Sequence, residues 1–110
     1  MKLPNGERAI VDIEKLRDYS LSPEHRRGYH KARIFKSSLG ITQEHAEALR
    51  SVLLEAAINN DATPEEHDEY GMRYVIDFMV NGPSGQAMVR SSWIIRRGED
   101  FPRLTSCYVL

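Results

Sequence analysis

Hydrophobic residues recur every three to four positions through the first half of the chain and every second position through its last third. From Tyr29 to Leu39 the apolar stripe is Tyr29, Ala32, Phe35 and Leu39, and Gly40 follows as a helix stop. Beyond it Thr42 can cap a helix in which Ala46, Leu49, Val52, Leu53, Ala56 and Ala57 repeat at helical spacing to near Asn60. Earlier, Asp12 can cap a helix from Ile13 to about Tyr19, and Ser22-Pro23 restarts the chain with a cap residue and an N-terminal proline. Ile10-Val11 fits a short edge strand.

The stretch from Asp61 to Tyr70 is acidic and turn-rich, and Thr63-Pro64-Glu65-Glu66 reads as a capping box opening at most a short helix. The period then changes to two. Met72, Tyr74, Ile76, Phe78 and Val80 face one way, and Arg73, Val75, Asp77 and Met79 the other. Asn81 to Gly85 is a hairpin loop. The return strand alternates Ala87, Val89, Ser91, Trp93 and Ile95 against Met88, Arg90, Ser92, Ile94 and Arg96. After a turn at Arg97 to Asp100, Leu104, Ser106, Tyr108 and Leu110 alternate against Arg103, Thr105, Cys107 and Val109. Helices followed by a meander predict an α+β fold, with the N-terminal helices packed on one face of a C-terminal antiparallel sheet. One domain spans residues 1–110, divided into a helical part at about 12–60, an acidic loop at 61–70 and the sheet at 71–110.

The two sheet faces differ in chemistry. Tyr74, Ile76, Phe78, Val89, Trp93, Ile95, Leu104 and Tyr108 make one face greasy enough to take the helices. Arg73, Asp77, Arg90, Ser92, Arg103 and Thr105 occupy the other. A wet face is ordinarily polar, but Lys and Glu are missing from these strand positions while arginine, whose planar fork suits phosphate, is over-used.

Charge sharpens this picture only locally. The net charge is -1, yet the segment His25 to Lys36 holds His25, Arg26, Arg27, His30, Lys31, Arg33 and Lys36 and no acid. Such clusters fit phosphate binding, and they equally fit two solvated faces of an ordinary domain. No apolar run approaches the roughly 20 residues of a membrane span, and Met1 to Gly6 lacks a signal-peptide core, so a cytoplasmic protein without membrane contact is expected. The lone Cys107 can form no internal disulfide and reads as a buried structural thiol. No glycine-rich phosphate loop and no metal-ligand spacing occurs, so neither metal nor cofactor is expected.

Candidate roles follow from residue chemistry. His30 could serve as general acid or base, or be a plain exposed helix histidine. Arg90 and Arg103 could stabilise a phosphorane-like charge, or simply pair with Asp77. Asp77 could be a base or orient an arginine. Thr105 completes the catalytic candidates. His25, Lys31, Arg33, Arg73 and Ser92 are candidates for holding substrate.

The strings Asn5 to Ala9, Ser22 to His25 with Gly28 to Arg33, Glu69 to Tyr74, and Trp93-Ile94 through Pro102 to Thr105 resemble a family of small bacterial domains of unknown function. Its members occur free-standing or as the C-terminal tips of filamentous-haemagglutinin-type and related polymorphic toxins. Free-standing members tend to be encoded beside a small β-rich partner, which implies a toxin–antitoxin pair. The element order is also similar to the barnase, EndoU, colicin and RelE group of metal-independent ribonucleases, a fold-level analogy. The resemblance implies a toxin that cuts tRNA or mRNA by 2′-hydroxyl attack. Its partners would be RNA and a cognate antitoxin protein, with a homo-oligomer left open. The alternative is a non-catalytic interaction module of the antitoxin or immunity type, docking through the acidic loop.

Overall fold

In the computed structural model, which describes residues 1–110, the chain builds three helical pieces and then a four-stranded sheet. Helix α1 (Ile13–Lys15) starts where the Asp12 carboxylate accepts the amide of Glu14, and it widens at once into a π turn over Leu16–Ser20. Helix α2 (Tyr29–Leu39) ends on Gly40, whose φ of 71° is a left-handed conformation that suits glycine. Thr42 opens a 3-10 turn, where its amide donates to His45 Nδ1, and α3 (Ala46–Asn59) follows.

The sheet order is β1 (Thr63–Pro64), β2 (Gly71–Gly82), β3 (Gly85–Arg96) and β4 (Arg103–Val109), all antiparallel neighbours. The α+β arrangement expected from the periodicities is the one observed. Thr63-Pro64 does not open a helix, however. It pairs with Val75 and Tyr74, and the Glu65 amide donates to the Arg73 carbonyl, because the outer edge of β2 offers unpaired backbone groups there. Ile10 makes a single parallel bridge to Arg103 and covers the start of β4.

The helices bury one face of the sheet. Phe35 and Leu39 from α2, Leu49 and Leu53 from α3, and Leu16 meet Ile76, Val89, Trp93 and Cys107 in one continuous core. Within it the Trp93 indole donates to Ser91 Oγ, and Ser91 in turn donates to the Ile76 carbonyl, both at 2.9 Å. These bonds satisfy polar groups whose exposure to a dry core would otherwise cost about 1–3 kcal/mol each.

One irregularity redirects the last strand. Trp93 pairs with Leu104 but Ser92 pairs with Ser106, so Thr105 is an extra residue in a β-bulge. Simple alternation would put Ser106 and Tyr108 under the helices. The bulge reverses the parity beyond Leu104: Cys107 and Val109 enter the core, and Ser106 and Tyr108 turn to the uncovered face.

Candidate functional site

On that uncovered face the pairing register sets three rows side by side: Arg73–Ile94–Arg103, Val75–Ser92–Ser106 and Asp77–Arg90–Tyr108. The expected sheet residues are therefore brought onto one surface, but their arginines are not bare. Arg73 Nε donates to Asp68 at 2.7 Å, Arg90 grips Asp77 through two bonds of 2.8 and 2.9 Å, and Arg103 grips Glu99 through two of 3.0 and 2.9 Å. Those guanidiniums hold the carboxyl groups of Asp68, Asp77 and Glu99 below their ordinary values. Asp77 in this state orients Arg90. The Arg90 guanidinium is pushed further toward its charged form by the Asp77 carboxylate first and by the Tyr108 hydroxyl second.

The other candidates divide. The Thr105 hydroxyl donates to the Ser92 carbonyl at 3.1 Å and closes the bulge, while Ser92 sits half-buried in the middle row. His30 is exposed on the first turn of α2, its ring 3.9 Å from that of Tyr29, with no hydrogen bond or ion pair to the sheet arginines. Arg33 is exposed on the same helix.

A tighter constellation lies at the corner where the uncovered face meets the β4 edge. Lys31 is on the flank of α2 that faces β4. Its ammonium lies 5.6 Å from the Tyr19 ring centre and 5.5 Å from that of Tyr108, and no carboxylate pairs with it. The His25 ring centre lies 4.4 Å from that of Tyr19. The amides of Arg27 and Gly28 both donate to His25 Nδ1, at 3.0 and 3.1 Å. Nδ1 is thereby occupied as an acceptor, so the ring proton of neutral His25 is assigned to Nε2, which is left free as a donor. Tyr19 is shared between this cradle and a groove of about 520 Å³ that Asp12, Glu14, Lys15, Asp18, His25, Thr105 and Ser106 also line. Lys15 Nζ donates to the Thr105 carbonyl at 3.4 Å.

The local chain explains the placement. The widened turn after α1 carries Tyr19 outward, and the 22–28 turn crosses it at Gly28. A Cβ at Gly28 would stand 2.1 Å from the Tyr19 carbonyl oxygen, so only glycine allows the two segments to touch. Sequence reasoning missed Tyr19 and Tyr108. Tyr19 ends a short helix with no periodic signal, and Tyr108 is moved into the site by a bulge that alternation does not reveal. No group of three or more His, Cys, Asp or Glu side chains is arranged to hold a metal ion.

What the corner offers is a cation without a carboxylate in ion-pair range, two phenols and a ring N–H, beside an open groove that Ser106 lines together with Asp12, Glu14 and Asp18. A family model described as a domain of unknown function, DUF6883, matches residues 2–110, nearly the whole of this arrangement's chain. The chain belongs to the DUF6883 family. This DUF6883 domain is also similar in structure to a chain of a contact-dependent growth inhibition toxin–immunity protein complex from Klebsiella pneumoniae 342. The TM-score is 0.67 at 18% identity, over 94% of this chain and 95% of that one. The two share a fold. No curated protein matches the sequence. No helix of the DUF6883 domain is long and apolar enough to cross a membrane.

Proposed function

We propose that this DUF6883 domain is the toxin of a toxin–antitoxin or toxin–immunity pair, and that it is a metal-independent endoribonuclease. The observation that carries the reading is Lys31, an ion without a carboxylate partner, held between Tyr19 and Tyr108 beside a histidine whose Nε2 is free. The fold it shares with a chain of a toxin–immunity complex supports a role on one side or the other of such a pair. Single-stranded tRNA or mRNA would be the substrate, since only splayed nucleotides reach a site at the corner of a sheet.

In the reaction the 2′-oxygen attacks the adjacent phosphorus and the bond to the 5′-oxygen breaks, leaving a 2′,3′-cyclic phosphate and a 5′-hydroxyl. The proton lost from the 2′-hydroxyl is matched by one gained at the 5′-oxygen. Lys31 and His25 Nε2–H hold the non-bridging oxygens as charge builds on them. Tyr108, set against Arg90 by the register, relays the proton. Asp77 keeps Arg90 in place, and Thr105 fixes the bulge that presents Ser106 and Tyr108. Arg103, Arg73 and Ser92 lie farther along the same face and meet the flanking nucleotides, with Arg33 and His30 on the helix side.

The test is expression of the chain alone under tight induction, with growth and RNA integrity followed, and then incubation of purified protein with total RNA in EDTA. Growth arrest and discrete RNA fragments with cyclic phosphate ends are expected. Intact RNA and unharmed cells overturn the reading. They would favour the second one, an immunity-type binding module, for which the exposed acidic stretch from Thr63 to Tyr70 is the specific observation.

A further inference from the structure

Of the 15 lysines and arginines, six have a carboxylate within ion-pair range and nine do not. Lys2, Arg8, Arg17, Arg73, Arg90 and Arg103 each have a carboxylate within 4.0 Å. In the segment from Arg26 to Lys36 the pattern is reversed, for Arg26, Arg27, Lys31, Arg33 and Lys36 have none. In a chain of net charge -1, five of the nine unpaired cations thus cluster on and just before α2, while Lys15, Arg50, Arg96 and Arg97 are spread over other elements. Helical spacing divides it between flanks. Lys31 faces the cleavage corner, whereas Tyr29, Arg33 and Lys36, at i, i+4 and i+7, line a separate groove of about 630 Å³ against Ile41 and Glu44. Glu44 at its rim approaches His45 Nε2 at 3.9 Å.

Between the two flanks stands His30, exposed, its ring 3.9 Å from that of Tyr29 at an interplanar angle of 33°. Two adjoining rings with one open side, bordered by two unpaired cations, have the form of a nucleotide subsite. Bases stack on histidine and tyrosine, and phosphates are held by lysine and arginine. An ordinary solvated helix face offers charges but does not need a half-buried tyrosine, an apolar groove and a ring pair among them.

We infer that the outer surface of α2 is a second RNA subsite, in which an unpaired base stacks on the Tyr29–His30 ring pair and the adjoining phosphates lie on Arg33 and Lys36. It rests on the ribonuclease reading and extends it: the strand that is cut at the Lys31 corner continues over the first turn of α2, past Arg26 and Arg27, into the groove. The distance crossed is about the 10 Å width of a helix, within reach of a few nucleotides. The subsite gives the enzyme its preference for single strands, because a paired base cannot stack on His30.

The test uses a short fluorescent single-stranded RNA whose 2′-O-methyl groups prevent self-attack, so binding is measured on the wild-type chain without cleavage. The double variant Arg33→Ala/Lys36→Ala should weaken binding about tenfold or more at low salt. It should also reduce the slope of log affinity against log salt by about 1.4, two contacts at about 0.7 each. His30→Ala should weaken the single strand about fivefold or more, as expected for one stacked base, and leave a duplex of the same sequence unaffected. All three positions are solvent-facing, and an unchanged melting temperature shows that the fold is intact. Unaltered affinity and salt slope in both variants overturn the subsite, whatever the nuclease assay shows. Conversely, Arg33-dependent binding by a chain that leaves ordinary RNA uncut upholds the subsite and overturns the ribonuclease reading.

Discussion

Tyr108 stands directly across the β3–β4 pairing from Arg90, although strict alternation along the last strand would bury it under the helices. Its ring is at the same time one wall of the Lys31 cradle. One side chain thus joins the guanidinium row of the open sheet to the ammonium on α2, and the site exists because of that junction.

If Tyr108 relays the proton and Lys31 holds the charge, Tyr108→Phe and Lys31→Ala should each lower RNA cleavage by a factor of about 10² or more while leaving the melting temperature nearly unchanged. Tyr108→Phe keeps the ring and removes only the hydroxyl, so a loss there isolates chemistry from packing. Cleavage rates within threefold of wild type for both variants would remove the corner from the mechanism.

Gly28 tests the geometry behind the corner. A methyl group at this position meets the Tyr19 carbonyl at 2.1 Å, so Gly28→Ala must push the 22–28 turn away from Tyr19. Destabilisation of about 1–3 kcal/mol is expected from such overpacking. Activity should fall further than stability alone explains, since His25 separates from Tyr19. Thermal melts and cleavage assays on one preparation check both. Retention of full activity would show that the His25–Tyr19 contact is idle.

The arginine pairs make an acid-dependence prediction. Asp77, Asp68, Asp100, Asp18 and Glu99 are held below their ordinary values chiefly by hydrogen bonds from Arg90, Arg73, Arg8, Arg17 and Arg103. A folded-state carboxyl below its unfolded value contributes stability above the unfolded value and loses it as pH falls through the folded one. The urea midpoint should therefore be insensitive to these groups from pH 6 to 8 and decline below about pH 4. The pairs are largely solvent-exposed, so solvent screening keeps each contribution small. Asp77→Asn should lower the midpoint slightly at neutral pH and flatten part of the acid decline. A decline as steep as wild type in that variant would show that its pairing contributes nothing.

Cys107 supplies a check on the core itself. Burial pushes its thiol up to about 12, far from the thiolate that reacts. A thiol reagent at pH 8 should modify the native chain only as fast as it unfolds, and instantly in denaturant. Fast native labelling would mean that β4 is not seated in the bulged register described.

The helices α2 and α3, the two long strands and the last strand could be read from periodicity, because a stripe or an alternation records which side of an element meets apolar neighbours. Gly40 marked the end of α2 by its side-chain-free backbone. Thr63-Pro64 misled, since its cap-like composition is local and the strand it forms depends on the distant edge at Val75 and Tyr74. Of the site, the basic and aromatic segment from His25 to Lys36 was visible as composition, and the arginines of the sheet as a face.

Sequence by itself determined the layers, the greasy face and the run of basic residues from His25 to Lys36, for these follow from residue types and spacing over a few turns. Tertiary structure alone decided which cations are already neutralised, that His25 packs on Tyr19 and that Tyr108 faces outward. The physical reason is that each of these depends on a register or a close approach between segments far apart in the chain: Arg90 with Asp77, Gly28 with Tyr19, and a single extra residue at Thr105 that no local preference announces.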